Sequence, residues 1–373
     1  MKEPKIRFKG FSGEWKECTL SNIITVNSGK DYKHLEKGTI PVYGTGGYML
    51  SVNTSLSEHD AIGIGRKGTI DKPQYLKAPF WTVDTLFFLT TNNGDNLDFL
   101  FNLSQNIRWQ KYDESTGVPS LSKNNIDKIK TCIPNKFEQQ SVASFFTSLD
   151  AQISASTSRL ASLKQMKAAS LQAMFPQDGE TMPKVRFKGF EGEWKAVKLG
   201  EIFSERNESN INGEMLSVTQ HNGIIKASEN GRFDNSNSDK SGYKVVMVGD
   251  IAYNSMRMWQ GASGYSPYEG IVSPAYTVII PQEGIHSPFF AYLFKNESII
   301  KTFRLHSQGL TSDTWNLKFP AFSKIEVLFP MNIDEQKQIA SFFTSLDRQI
   351  ALHTQRLEKL KQIKAACLDK MFV

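Results

Sequence analysis

The stretch Ala143-Ser-Phe-Phe-Thr-Ser-Leu-Asp150 returns unchanged as Ala340 to Asp347, and the likeness runs well past those eight residues. Glu138–Phe175 and Glu335–Phe372 align without a gap at an offset of 197, with 24 of 38 positions identical. Neither copy contains Gly, Pro, Trp or Tyr, although the whole chain has 26, 14, 6 and 11 of them. Excluding every strong turn residue from two such stretches predicts two long, uninterrupted helices. At 1.5 Å per residue each would be a rod roughly 57 Å long.

Both stretches carry a start signal. Asn135 stands three residues before Glu138 and Asn332 three before Glu335, each shortly after a proline, Pro134 and Pro330. An Asn N-cap followed by Glu at this distance reads as a capping box. The apolar positions Val142, Phe146, Leu149, Ile153, Leu160 and Leu163 follow a 3-4 rhythm, with Ser156 in one core slot. Ile339, Phe343, Leu346, Ile350, Leu357 and Leu360 match them, with His353 in the polar slot. So narrow a stripe suits a coiled-coil seam. Two equal rods in one chain most simply pack on each other. Beyond Leu163 and Leu360 the pattern drifts through Met166, Leu171 and Met174, and through Ile363, Cys367 and Met371, which predicts different packing at the far ends.

A second repeat precedes each rod. Pro4–Lys16 recurs as Pro183–Lys195 with 11 identities in 13, at an offset of 179. The organisation is leader, body, helix, then the same again. In residue ranges it is a first head over 1–135 with its leader at 4–16 and a first helix over 136–175. A linker at 176–182, a second head over 183–332 with its leader at 183–195, and a second helix over 333–373 complete the chain. The bodies, 18–134 and 197–330, are unlike each other in sequence, and both read as mostly β. Strand candidates in the first are Thr39–Tyr43, Ala61–Ile64 and Phe80–Leu89, with turns such as Gly44-Thr-Gly-Gly47 between them, followed by helical spacing over Asp98–Lys111. In the second they are Tyr243–Val248, Asp250–Tyr253 and Ala275–Ile280, followed by a helical region over Pro288–Arg304. The expected fold class is α+β: two mostly-β heads joined by two long antiparallel helices in a coiled coil, with a pseudo-two-fold internal repeat.

Motifs for chemistry are weak. Gly63-Ile-Gly-Arg-Lys-Gly68 satisfies G-x-G-x-x-G, but a dinucleotide site needs a helix to begin there, and Pro73 forbids one. The segment reads instead as a glycine-relaxed turn presenting Arg66 and Lys67. The six histidines have no H-E-x-x-H spacing, and no P-loop or methyltransferase signature is present. Glu335-Gln-Lys337 resembles a nuclease E-x-K, but the first copy reads Glu138-Gln-Gln140, so the Lys is dispensable to the element. Cys18, Cys132 and Cys367 are isolated and suggest neither zinc nor a disulfide framework. No catalytic, cofactor-binding or metal-ligating residues are expected. A start without an apolar signal region and no membrane-length apolar run predict a cytoplasmic chain. A net charge of +6 leans towards a polyanionic partner.

Taken together, the chain resembles the DNA-specificity subunit of type I restriction-modification systems. The resemblance covers the whole length. It rests on Arg7-Phe-Lys-Gly-Phe with Gly13-Glu-Trp15, on their copies at Arg186–Phe190 and Gly192–Trp194, and on the Glu-Gln pairs behind Pro134 and Pro330. Tyr253–Gly261 followed by Ile271–Tyr276 also looks like that family's recognition domains. It implies a non-catalytic, sequence-specific DNA-binding subunit for host defence. Each head would be a target-recognition domain reading one half of a bipartite, asymmetric site on double-stranded DNA. The helices would set the spacer and dock two methyltransferase (modification) subunits, with restriction/translocase subunits in the full complex and no membrane partner. Cofactors of this chain would be none; S-adenosylmethionine, ATP and Mg would sit on partner subunits, which give the complex its adenine methyltransferase and ATP-dependent endonuclease activities.

Base readout needs polar or cationic side chains on loops. The DNA-contact candidates of the first head are Lys30, Tyr32, Lys33, Arg66, Lys67, Ser115, Thr116, Ser120 and Lys123. Those of the second are Gln220, His221, Asn222, Arg257, Trp259, Gln260, Ser307, Gln308 and Thr311. Trp15 and Trp194 read as core anchors where leader meets head. Two rival readings belong to other classes. One is a self-contained modification enzyme, which a methyl-transfer assay on the chain alone would reveal. The other is a two-headed adaptor binding protein partners, which a salt-dependent shift on duplex DNA separates from a DNA reader.

Overall fold

The computed structural model describes residues 2–220, 223–230 and 240–373. It divides into two compact units: Met1–Ser158 with Thr354–Val373, and Arg159–His353. Each unit therefore holds one head, the first half of one long helix and the second half of the other.

In the first unit the leader ends in a strand, Lys16–Thr19, that pairs antiparallel with Lys130–Ile133 just before the long helix. A four-stranded antiparallel sheet follows, in the spatial order Ile24–Ser28, Leu86–Thr91, Ala61–Gly65, Gln74–Leu76. All five residues of Ala61–Gly65 are buried, which is why that strand reads Ala-Ile-Gly-Ile-Gly rather than alternating apolar and polar. Gly65 is obligatory there: a Cβ would lie 2.0 Å from the Thr69 carbonyl oxygen. A smaller sheet orders Gly47–Val52, Lys37–Gly44 and Trp81–Thr82.

The second unit repeats this plan although the bodies differ in sequence. Lys195–Lys198 pairs with Glu326–Phe329. The four-stranded sheet runs Phe203–Glu205, Tyr276–Pro281, Ile251–Asn254, Ser263–Tyr265. A hairpin, Leu216–Thr219 with Gly223–Lys226, and the pair Lys244–Val246 with Gly270–Val272 add to it.

Several expected elements are revised. Phe80–Leu89 is not one strand: Trp81–Thr82 pairs parallel with Val42 and Tyr43, the chain turns at Val83, and Leu86–Thr91 joins the other sheet. Both pieces are buried and mostly apolar, and the exposed Asp84 marks the turn between them. The region Asp98–Lys111 becomes a helix over Leu97–Asn106 and a 3-10 turn over Trp109–Tyr112. Pro288–Arg304 becomes two helices, Ser287–Leu293 and Glu297–His306, because Asn296 caps the second by accepting from Ser298 N at 3.0 Å. Tyr243–Val248 shortens to Lys244–Val246.

The long helices are Lys136–Ala173 and Ile333–Met371. Asn135 Oδ1 accepts from Glu138 N at 3.0 Å, whereas Asn332 Oδ1 accepts from Asp334 N at 2.9 Å. The capping box is not completed by the glutamates. Glu138 instead accepts from Arg7 Nε and Nη2, each at 2.7 Å, and from Trp15 Nε1 at 3.3 Å. Glu335 takes Arg186 in the same way, at 2.7 and 2.8 Å. Each carboxylate is 1% exposed, so burial favours a partner of opposite charge over a distant backbone amide. The neighbouring glutamines bind the head: Gln139 Oε1 accepts from Asn96 N at 3.0 Å and Gln336 Oε1 from His286 N at 2.9 Å. Their amide groups donate to Pro134 O and Pro330 O. The Glu-Gln pair is thus the joint at which leader, head and helix meet.

Within each unit the two helix halves run antiparallel. In the first, Phe146 packs on Phe372 at 5.9 Å between ring centroids, and Asp150 Oδ1 lies 2.6 Å from Lys364 Nζ. In the second, Phe175 stacks on Phe343 at 5.9 Å and Lys167 Nζ lies 2.5 Å from Asp347 Oδ1. Asp150 and Asp347, like Lys167 and Lys364, are equivalent positions of the repeat. Of the seam positions, Val142, Phe146, Leu149, Leu163, Ile339, Phe343, Leu346 and Leu357 are buried, while Ile153, Leu160, Ile350 and Leu360 are half-buried. Among the described residues no helix is long and apolar enough to cross a membrane.

Candidate nucleic-acid interface

In the first head the candidates gather at one end of the four-stranded sheet. The register pairs Ser28 with Phe87 and Gly65 with Leu86, so the chain leaves Ile24–Ser28, leaves Ala61–Gly65 and enters Leu86–Thr91 on the same side. The segment Thr82–Thr85 fastens both exits. Lys30 N donates to Thr82 O at 2.9 Å, and Arg66 N and Lys67 N donate to Thr85 O at 2.8 and 3.2 Å. Trp81 Nε1 adds a bond to Lys30 O at 2.9 Å. Gly29 permits this approach, since a Cβ there would lie 2.0 Å from Val83 O.

The polar loop 113–121 joins the same surface. Leu121 N donates to Arg66 O at 2.9 Å, Gly68 N to Pro119 O at 2.8 Å, and Lys67 bridges to Ser120. Asp113 closes the loop by accepting from Ser120 N and Ser115 N, both at 2.9 Å. Those backbone amides, Ser120 first, hold its carboxyl below the usual range. Lys30, Lys33, Arg66, Lys67, Thr116 and Lys123 are exposed, and Tyr32, Ser115 and Ser120 half-buried. Among the described residues none of these cations is ion-paired with a carboxylate; Arg66 lies over the Phe87 ring at 5.7 Å. As the sequence suggested, Gly63–Gly68 leads into no helix.

The second head builds the corresponding end from other residues. Asn254 pairs with Tyr276, so the loop after Ile251–Asn254 occupies the place of the Arg66 turn. Leu317 N donates to Ser255 O at 2.8 Å, as Leu121 N does to Arg66 O. Gln308 bridges to Asn316 and closes the loop between them. Trp259 meets Trp315 edge to face at 5.3 Å, and Arg304 lies 5.2 Å over Trp315. Arg257, Gln308 and Thr311 are exposed; Trp259, Gln260 and Ser307 are half-buried. Gln220 is exposed on the turn of the hairpin. His221 and Asn222 lie outside the described residues. Trp315 and Arg304 were not among the candidates; the Thr-Trp-Asn run just after Thr311 was the available signal. Lys295 was missed as well, and an isolated lysine between two helices gives none.

The side chains gathered here are of the kinds that can meet a nucleic acid: cations suit phosphates, and amides, hydroxyls and an indole suit base edges or faces. Among the described residues no three His, Cys, Asp or Glu side chains are grouped to hold a metal.

A family model for the type I restriction modification DNA specificity domain matches the chain twice, over residues 12–165 and 191–362. The chain belongs to this family. Its two specificity domains correspond to the two leader–head–helix repeats. The structure is similar to that of the type I restriction-modification S subunit from M. genitalium, with a TM-score of 0.69 at 15% identity, covering 100% of this chain and 99% of that one. It also matches the HsdS subunit from Thermoanaerobacter tengcongensis, with a TM-score of 0.46 at 14% identity, covering 100% and 99%. Comparison with curated protein sequences gives no match.

Proposed function

We propose that this specificity-domain protein addresses a type I restriction-modification complex to a bipartite DNA site, one half read by each head. One observation carries the reading. In each head, loops far apart in sequence are bonded together at the same end of the same four-stranded sheet, presenting exposed cations and polar groups, and among the described residues none of the candidate cations is ion-paired with a carboxylate. Because the two heads are unlike in sequence, the half-sites differ and the target is asymmetric. The chain itself is non-catalytic. The long helices set the spacer and dock two methyltransferase subunits, with restriction/translocase subunits joining the full complex. S-adenosylmethionine, ATP and Mg belong to those partners.

The test is to co-express the chain with its methyltransferase subunit and map methylated adenines across a genome. The expected result is one split motif with two unlike halves and a fixed gap. Methylation without a split motif would sink the reading, as would a complex whose duplex binding is insensitive to salt.

A further inference from the structure

Lys295 sits in the tight turn between Ser287–Leu293 and Glu297–His306. Its Nζ donates to three backbone carbonyls, those of Gln220 at 2.9 Å, Ser263 at 2.8 Å and Gly261. An ammonium has three N–H donors, so all are used. The acceptors come from two separate segments, the turn of the hairpin Leu216–Lys226 and the stretch that leaves Ile251–Asn254 and enters the strand Ser263–Tyr265. These segments touch closely: a Cβ on Gly264 would lie 2.6 Å from Gly223 Cα. Gly261 adopts φ +77°, which turns its carbonyl away from the path of the preceding 3-10 turn Met258–Gln260. The site half-buries Lys295 without giving it a carboxylate to bind. Desolvation first, then Lys167, press its pKa down to about 8, against the pull of Asp347. A cation kept under those conditions serves the carbonyls it joins.

The segments joined are those carrying Gln220 and Arg257, Trp259 and Gln260. We infer that Lys295 is a positioning residue for the second head: by holding the Gln220 turn against the Arg257–Gln260 loop it sets base preference at one half-site without touching DNA. The inference rests on the reading of the heads as DNA readers. Its reach is limited to one half-site, since every contact of Lys295 lies within the second unit.

The experiment uses the full chain co-expressed with its methyltransferase subunit, comparing wild type, Lys295→Met and Lys295→Arg. Three readouts are taken: the methylated motif, affinity for non-specific duplex, and the unfolding midpoint. For Lys295→Met the first half-site should be unchanged. Discrimination at one or more positions of the second should fall about tenfold, the scale of one misplaced base contact. Lys295→Arg, which keeps charge and donors, should restore most of that discrimination. Non-specific affinity should hold, because no phosphate-facing cation is removed. If Lys295→Met fails to assemble, Lys295→Gln keeps two N–H donors and should show the same one-sided relaxation. An unchanged motif in a folded variant overturns the inference, and so does equal relaxation of both half-sites, the mark of general loosening. A wild-type complex that binds duplex without sequence preference would instead remove the parent reading.

Discussion

Phe372, just past the second long helix, meets Trp15 of the first leader edge to face, with ring centroids 6.2 Å apart and planes at 87°. Phe99 and Phe146 complete the cluster, each within 6 Å of Phe372. The second unit holds the same four-ring arrangement: Phe175 lies 6.1 Å from Trp194, 5.5 Å from Phe289 and 5.9 Å from Phe343. In each unit a leader, a head helix and the start of one long helix are closed by the end of the other. This explains why both Phe residues at the helix ends are kept in the repeat, where the seam spacing has already lapsed.

Phe372→Ala should therefore act on the first unit. Replacing a buried phenylalanine by alanine typically costs about 3–5 kcal/mol, and Phe372 is 5% exposed. Chemical denaturation should show the loss, and near-ultraviolet dichroism should report a changed Trp15 environment. A variant as stable as the parent with an unaltered signal would mean the cluster is not closed by this ring.

The Arg7–Glu138 pair gives a second expectation. Glu138→Gln leaves a guanidinium facing a neutral amide at a site where the carboxylate was 1% exposed. Breaking such a pair from one side typically costs about 3–5 kcal/mol. Arg7→Met combined with Glu138→Leu should recover much of it, because no unpaired charge is left. A double-mutant cycle on unfolding free energies measures the coupling; a coupling near zero would refute the joint described above. Arg186 and Glu335 should behave alike.

Exchange of residues 18–134 for the body of another specificity domain should alter one half-site and leave the other unchanged. The structure adds a condition: the graft must keep the equivalents of Asn96 and Phe99, which bond Gln139 and pack on Phe372. Methylome mapping reads the result. Both half-sites changing together would refute independent heads.

Inserting four residues between Ser156 and Leu160, and four between His353 and Leu357, tests the proposed spacer. The insertions fall where the units divide, between Ser158 and Arg159 and between His353 and Thr354. They leave Asp150–Lys364 and Lys167–Asp347 within their own units. About 6 Å is added to each helix, room for roughly one or two base pairs at about 3.4 Å each. The expected motif keeps both half-sites and changes the gap. An unchanged gap in a fully active complex would assign the measuring to something else.

By itself, the sequence determined the plan of this protein. Repeat identity and the absence of turn residues determine the two helices, because such local signals survive without tertiary context. The placing of Arg66 and Lys67 on a turn follows equally from Gly68 and Pro73. What the sequence left undecided concerns residues whose partners are distant along the chain. Glu138 reads as a cap from its neighbours, and only Arg7, 131 positions away, makes it half of a buried ion pair. Phe80–Leu89 reads as one strand because hydropathy records burial but not which sheet does the burying. The two heads share one sheet order that their sequences conceal, since a pleated core asks only for apolar residues of suitable volume. Lys295 carries no local signal at all. Its proposed role arises when folding brings the carbonyls of Gln220, Gly261 and Ser263, from two separate segments, to within reach of one ammonium.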